Sequence, residues 1–113
     1  MGKFQIGEFE EVVLLTVGIL DGNAYGVSIR KEIESRLGRT VSVGALQITL
    51  RRMEEKGYLK SQHGEKTEKR GGRPKLFFTI TPYGKSAIVY TRETRNALWD
   101  ALPGTVLKLE PGE

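Results

Sequence analysis

The chain has 113 residues, room for one domain around one modest core, and a formal charge of +4. With no cysteine it has neither disulfides nor thiolate chemistry, and its single histidine, His63, cannot build a metal site alone. No apolar run approaches the roughly 20 residues that cross a bilayer, and the opening M-G-K-F-Q-I-G-E-F-E lacks the basic-then-apolar order of a secretory signal. A soluble, cytoplasmic protein is the expectation. The charge is unevenly spread. Residues 51–75 hold nine Lys or Arg against four Glu, whereas the remainder holds nine basic and ten acidic residues. All the excess positive charge therefore lies in one segment, the footprint of a surface that faces phosphates. A solubility patch is the plainer reading, but such patches seldom absorb a chain's whole imbalance.

In chain order, the spacing of Phe9, Val12, Val13, Thr16, Ile19 and Leu20 predicts a helix over 8–20, with Glu8, Glu10 and Glu11 at the positive end of its dipole. The run V-V-L-L-T-V-G-I-L is apolar on more than one side, which suits a central core helix or a helix with a second, intersubunit face. Asp21-Gly22-Asn23 marks a turn. A second helix over 24–37 follows, capped by Asn23, stopped by Gly38, and buried through Tyr25, Ile29, Ile33 and Leu37. Gly26 in its first turn permits close approach of another backbone.

The stretch 43–57, V-G-A-L-Q-I-T-L-R-R-M-E-E-K-G, predicts a third helix. Val43, Leu46, Leu50 and Met53 form its buried stripe, Ser42 its cap and Gly57 its stop. The opposite face carries Gly44, Ile48, Arg51, Arg52 and Glu55. Two adjacent arginines, an isoleucine and a bare glycine are unusual on a purely solvated face. They suit a major groove, where arginine donates a bidentate pair to guanine and an exposed methyl meets thymine. Helix, short link and third helix make a helix-turn-helix.

Strands are predicted over 58–62 and 76–81, with Leu76, Phe78 and Ile80 sharing a core-facing side. Between them lies the polar, basic connection H-G-E-K-T-E-K-R-G-G-R-P. A basic hairpin behind the third helix is a wing. Lys69, Arg70, Arg73 and Lys75 on it reach a narrow minor groove or flanking phosphates, unless the loop is simply solvated. Thr81-Pro82 starts a last helix that runs to Leu102, where Pro103-Gly104 stops it. Its seam of Tyr83, Ala87, Tyr90, Thr94, Ala97, Leu98 and Ala101 exceeds what one small domain can cover, so a dimerisation helix is expected. The fold class is mainly α with a small β-hairpin wing: a winged helix-turn-helix over 1–81, a C-terminal dimerisation helix over 82–102, and a loose tail over 103–113.

A-Y-G-V-S-I at 24–29, S-V-G-A-L at 42–46, T-L-R-R-M-E-E-K-G-Y-L at 49–59, and R-G-G-R-P-K-L-F-F-T-I-T at 70–81 with Gly84 resemble the PadR family of bacterial transcriptional regulators. The resemblance covers nearly the whole chain. It implies a winged helix, a homodimer joined through the last and first helices, binding to double-stranded DNA at a pseudo-palindrome, and usually repression. The expected DNA contacts are Ser42, Gly44, Gln47, Ile48, Arg51, Arg52, Lys69, Arg70, Arg73 and Lys75. Gln47 departs from the tyrosine that the family usually places after the recognition-helix leucine; glutamine still pairs with adenine or phosphate. Some short members place a tryptophan on the last helix to sandwich flat ligands. Trp99 lies about one turn later than that position. With Tyr90 it lines an effector pocket for a small aromatic ligand, or else it merely packs the interface.

No cofactor or metal is expected. The competing class is a winged helix that serves protein–protein assembly without DNA. An enzyme is remote, since the chain shows no Gly-rich phosphate cradle or carboxylate pair.

Overall fold

The computed structural model describes residues 4–64 and 74–108. Four helices, α1 (Glu8–Leu20), α2 (Gly26–Leu37), α3 (Val43–Glu55) and α4 (Pro82–Ala101), surround an antiparallel hairpin of β1 (Leu59–His63) and β2 (Leu76–Ile80). The architecture is the expected one: three helices, a two-stranded wing and a long last helix.

In α1, the Gly7 N–H donates to the Glu10 carboxylate at 2.8 Å, and Asp21 closes the helix in the left-handed region at φ 36°. Val13, Leu14 and Val17 are buried, while Leu15 and Ile19 stay exposed on the other side. The double-sided apolar run thus leaves one side exposed on the single chain.

α2 begins two residues later than its sequence suggests, and Asn23 is not its cap. The Ala24 carbonyl accepts from Phe78 N–H at 2.8 Å and Tyr25 bridges Phe77, so residues 24 and 25 are extended along β2. Tyr25 is the cap residue, and its N–H donates to Ser28 Oγ at 2.9 Å. Ile29 and Ile33 are buried, but Leu37, in the last turn, is exposed. Gly38, at φ 64°, closes the helix.

α3 starts where Ser42 Oγ accepts the Ala45 N–H at 3.2 Å. Past its last residue, Glu55, the chain turns at Gly57, φ 83°, with Tyr58 N–H returning to the Met53 carbonyl at 2.9 Å. Leu46, Leu50 and Met53 are buried with Thr49. Val43 is not: it is 53 % exposed, because the first turn of α3 overhangs a groove rather than the core.

Tyr58 belongs to that closing turn, so β1 starts one residue later than expected. The register pairs Leu59 with Ile80 and His63 with Leu76. On the shared side of β2 only Phe78 is fully buried; Ile80 is half-buried and Leu76 stays exposed at the groove.

Thr81 Oγ1 accepts Gly84 N–H at 3.0 Å, and Pro82 follows it at the start of α4. Gly84 and Ala87 are the buried residues of this helix, so part of the expected seam packs on its own domain. From Arg92 onward every α4 residue is exposed, and the molecule is long, 59 × 36 × 22 Å. Past Pro103 the tail makes a 3-10 turn over Gly104–Val106.

Candidate nucleic-acid interface

Gly44, Gln47, Ile48 and Arg51 recur at helical spacing along α3, all on its exposed side. Ile48 is 56 % exposed, so this row is held away from the core by the buried Leu46, Thr49, Leu50 and Met53 beneath it. Ser42 is exposed at the start of the row, but its hydroxyl is occupied as the helix cap. Gly26 brings α2 close: a methyl there would stand 3.5 Å from the Gln47 side-chain nitrogen.

Beside the row lies a groove of about 340 Å³ between the first turns of α2 and α3 and the root of the wing. Val43, Gln47 and Leu76 line it, and Arg30 and Lys75 bring two positive charges. Among the described residues, no acidic one lines it. The Lys75 ammonium lies 4.1 Å from the centre of the Tyr25 ring, a cation–π contact that fixes it above α2. The wing stays paired to its described end, where Gly64 N–H donates to the Lys75 carbonyl at 2.7 Å. Lys69, Arg70 and Arg73 lie outside the described residues. Arg30 and Tyr25 were not among the expected contacts; their proximity to Gly26, read as a point of close approach, was the available signal.

Arg52 is placed differently from Arg51. One residue further on, it turns toward the start of α1, where its Nη1 is 4.0 Å from Glu10 Oε2. The Lys56 ammonium donates to both Glu10 oxygens at 3.0 Å, and to the Gln5 carbonyl at 3.0 Å. Glu10 is buried. Burial alone would raise its pKa, but the Gly7 N–H, Lys56 and Arg52 more than offset this and hold the carboxyl below its ordinary value.

Tyr90 and Trp99 are nine residues apart, on opposite sides of α4. Tyr90 stands against Phe4, with ring centres 5.5 Å apart, in a cluster that also contains Tyr83 and Tyr58. Trp99 is 60 % exposed. A single chain therefore does not bring the two together. His63 is exposed at the end of β1. Among the described residues, no cluster of three His, Cys, Asp or Glu could hold a metal ion, and no helix is long and apolar enough to cross a membrane.

The sequence profile of the transcriptional regulator PadR-like family matches residues 14–89. No curated protein matches the chain. Several solved structures share its fold. A PadR-like transcription factor from Bacteroides fragilis is 21 % identical, with a TM-score of 0.69, over 81 % of this chain and 84 % of the other. A PadR family transcriptional regulator from Eggerthella lenta is 22 % identical, with a TM-score of 0.66, over 88 % and 82 %. A PadR-like transcriptional regulator from Bacillus cereus is 14 % identical, with a TM-score of 0.71, over 89 % and 93 %.

Proposed function

This chain belongs to the PadR-like family of transcriptional regulators, proteins that regulate rather than catalyse, and on that premise we propose that it is a homodimeric repressor of a pseudo-palindromic operator. One observation carries the proposal. The exposed row of α3 combines a glycine, an amide, an aliphatic side chain and a guanidinium, and beside it lies a groove lined, among the described residues, by two cations and no carboxylate.

Each residue has a role in the proposed complex. Arg51 donates to guanine, Gln47 pairs with adenine and Ile48 meets a thymine methyl. Gly44 lets the backbone approach, and Ser42 with the first N–H groups of α3 faces a phosphate. Lys75, with Lys69, Arg70 and Arg73 of the wing, binds phosphates or the minor groove. Arg52, at the edge of the site and 4.0 Å from Glu10, makes a weaker contact to the backbone. Residues 1–81 form the reading unit, 82–102 the dimerisation helix and 103–113 the tail.

Leu98 and Trp99 on α4, with Leu15 and Ile19 on α1, supply the apolar surface for pairing. Trp99 is the residue that a flat aromatic effector would meet in such a dimer. Tyr90 joins it only if the partner's helix brings their opposite sides together.

Mobility shifts on a random duplex at low and high salt test the DNA reading. Binding that weakens steeply with salt supports it. No shift at any salt would favour a protein-assembly module instead.

A further inference from the structure

We propose that Glu10 is a specificity-determining residue: by holding Lys56 and Arg52 against α1, it keeps two cations at the end of α3 from binding phosphates indiscriminately. The inference rests on the DNA-binding reading above. It concerns residues outside the exposed row, and it explains why a buried carboxylate sits beside the recognition helix.

Three cations, Arg51, Arg52 and the cap residue Lys56, stand about the end of α3, with Glu54 and Glu55 between them. Arg51 stays on the exposed row, and no ion pair involves it among the described residues. Lys56 is committed, with its ammonium shared between both Glu10 oxygens and the Gln5 carbonyl at 3.0 Å. Arg52 lies 4.0 Å from the same carboxylate, with a side chain 56 % exposed, so it is biased toward α1 without being buried there. Glu10 is itself fixed by the Gly7 N–H at 2.8 Å. A carboxylate so placed draws Lys56 and Arg52 toward α1 and does not pair with Arg51.

Phosphate contacts carry no sequence information by themselves. A free lysine or arginine finds a phosphate in any register, which strengthens non-specific binding. A complex locked in register by base contacts gains less from the same freedom. Neutralising Glu10 should therefore tighten binding to random DNA more than binding to the operator.

The test uses the full chain. Fluorescence anisotropy compares a random duplex with a duplex selected from the source genome, over a salt series. For Glu10→Gln, the slope of log K against log salt on random DNA should steepen by about one to two, the increment for one or two extra phosphate contacts. The ratio of operator to random affinity should fall by about three- to tenfold. Lys56→Met removes the main partner of Glu10 without freeing a cation, and should leave the slope no steeper than that of the wild type. Circular dichroism verifies that both variants are folded. An unchanged or shallower slope for folded Glu10→Gln overturns the inference, because a merely structural role weakens both duplexes without adding counterion release. A slope for Lys56→Met as steep as that for Glu10→Gln also overturns it, because the gain would then not require the release of Lys56. Absence of DNA binding by the wild-type chain would instead defeat the underlying reading.

Discussion

Gly84 lays its α-carbon against the carbonyl oxygen of Tyr58, so α4 crosses the start of the wing with no space for a side chain. A methyl at Gly84 would run into that oxygen and would stand 2.9 Å from Ile80 Cγ2. The backbone oxygen cannot step aside as a flexible side chain does. Gly84→Ala should therefore destabilise the fold by about 3 kcal/mol, at the upper end of overpacking effects. Thermal unfolding should show a fall in Tm on the order of 10 °C. An unchanged Tm would mean that α4 is not anchored here.

Arg51 and Arg52 are neighbours in sequence and unequal in setting, so their alanine variants should differ. Arg51→Ala should weaken operator binding by about 1–3 kcal/mol and relax base preference at one position. Arg52→Ala should weaken operator and random DNA to a similar, smaller extent, since Glu10 already claims part of its charge. Anisotropy titrations on both duplexes distinguish these outcomes. Equal losses would place both arginines in one role.

Much of this arrangement was legible in the sequence where the determinants are local. α1 spans the predicted residues, and the Ser42 cap, the Gly57 stop and the Thr81-Pro82 start stand where hydroxyl, glycine and proline put them. The misplacements share a different cause. Ala24 is helical by its spacing, but its carbonyl is taken by Phe78 from the distant β2. Val43 continues the apolar stripe of α3, yet periodicity cannot say where the core ends and a groove begins. Glu10 reads as a partner for the α1 dipole; that it also faces Lys56 and Arg52 is set by how α1 packs on α3.

The exposed half of α4 bears on assembly. Leu98 is 68 % exposed and lies beside the uncovered Trp99 and Leu102, and a contiguous apolar patch of this kind marks an interaction surface. If the proposed dimer forms through this surface, Leu98→Glu should shift it to monomer in light scattering coupled to gel filtration. Operator affinity should fall by at least tenfold, because two half-sites are then no longer read by one molecule. A wild-type chain that is monomeric at high concentration would refute this assignment.

Glu10 also makes stability depend on acidity. Its pKa is held below the ordinary 4.5, so the folded state binds its proton less readily than the unfolded chain does. The stabilisation is fully present above that ordinary value and is lost as the pH falls through the lowered folded value. The stability difference between wild type and Glu10→Gln should accordingly be largest near neutrality and shrink below about pH 4.5. Urea unfolding at several pH values checks this. A difference that is constant with pH would show that the carboxylate is not preferentially charged in the fold.

The absence of cysteine in the chain allows the position of α3 on DNA to be measured directly. An iron–EDTA group tethered at Ile48→Cys, with Glu93→Cys on α4 as control, cleaves DNA near the labelled residue. On a bound genomic fragment, the residue 48 label should give two clusters of cuts about one helical turn apart, and the residue 93 label should give none there. Diffuse or absent cleavage from residue 48 on DNA that the protein demonstrably binds would contradict the assignment of α3 as the element that lies along the duplex.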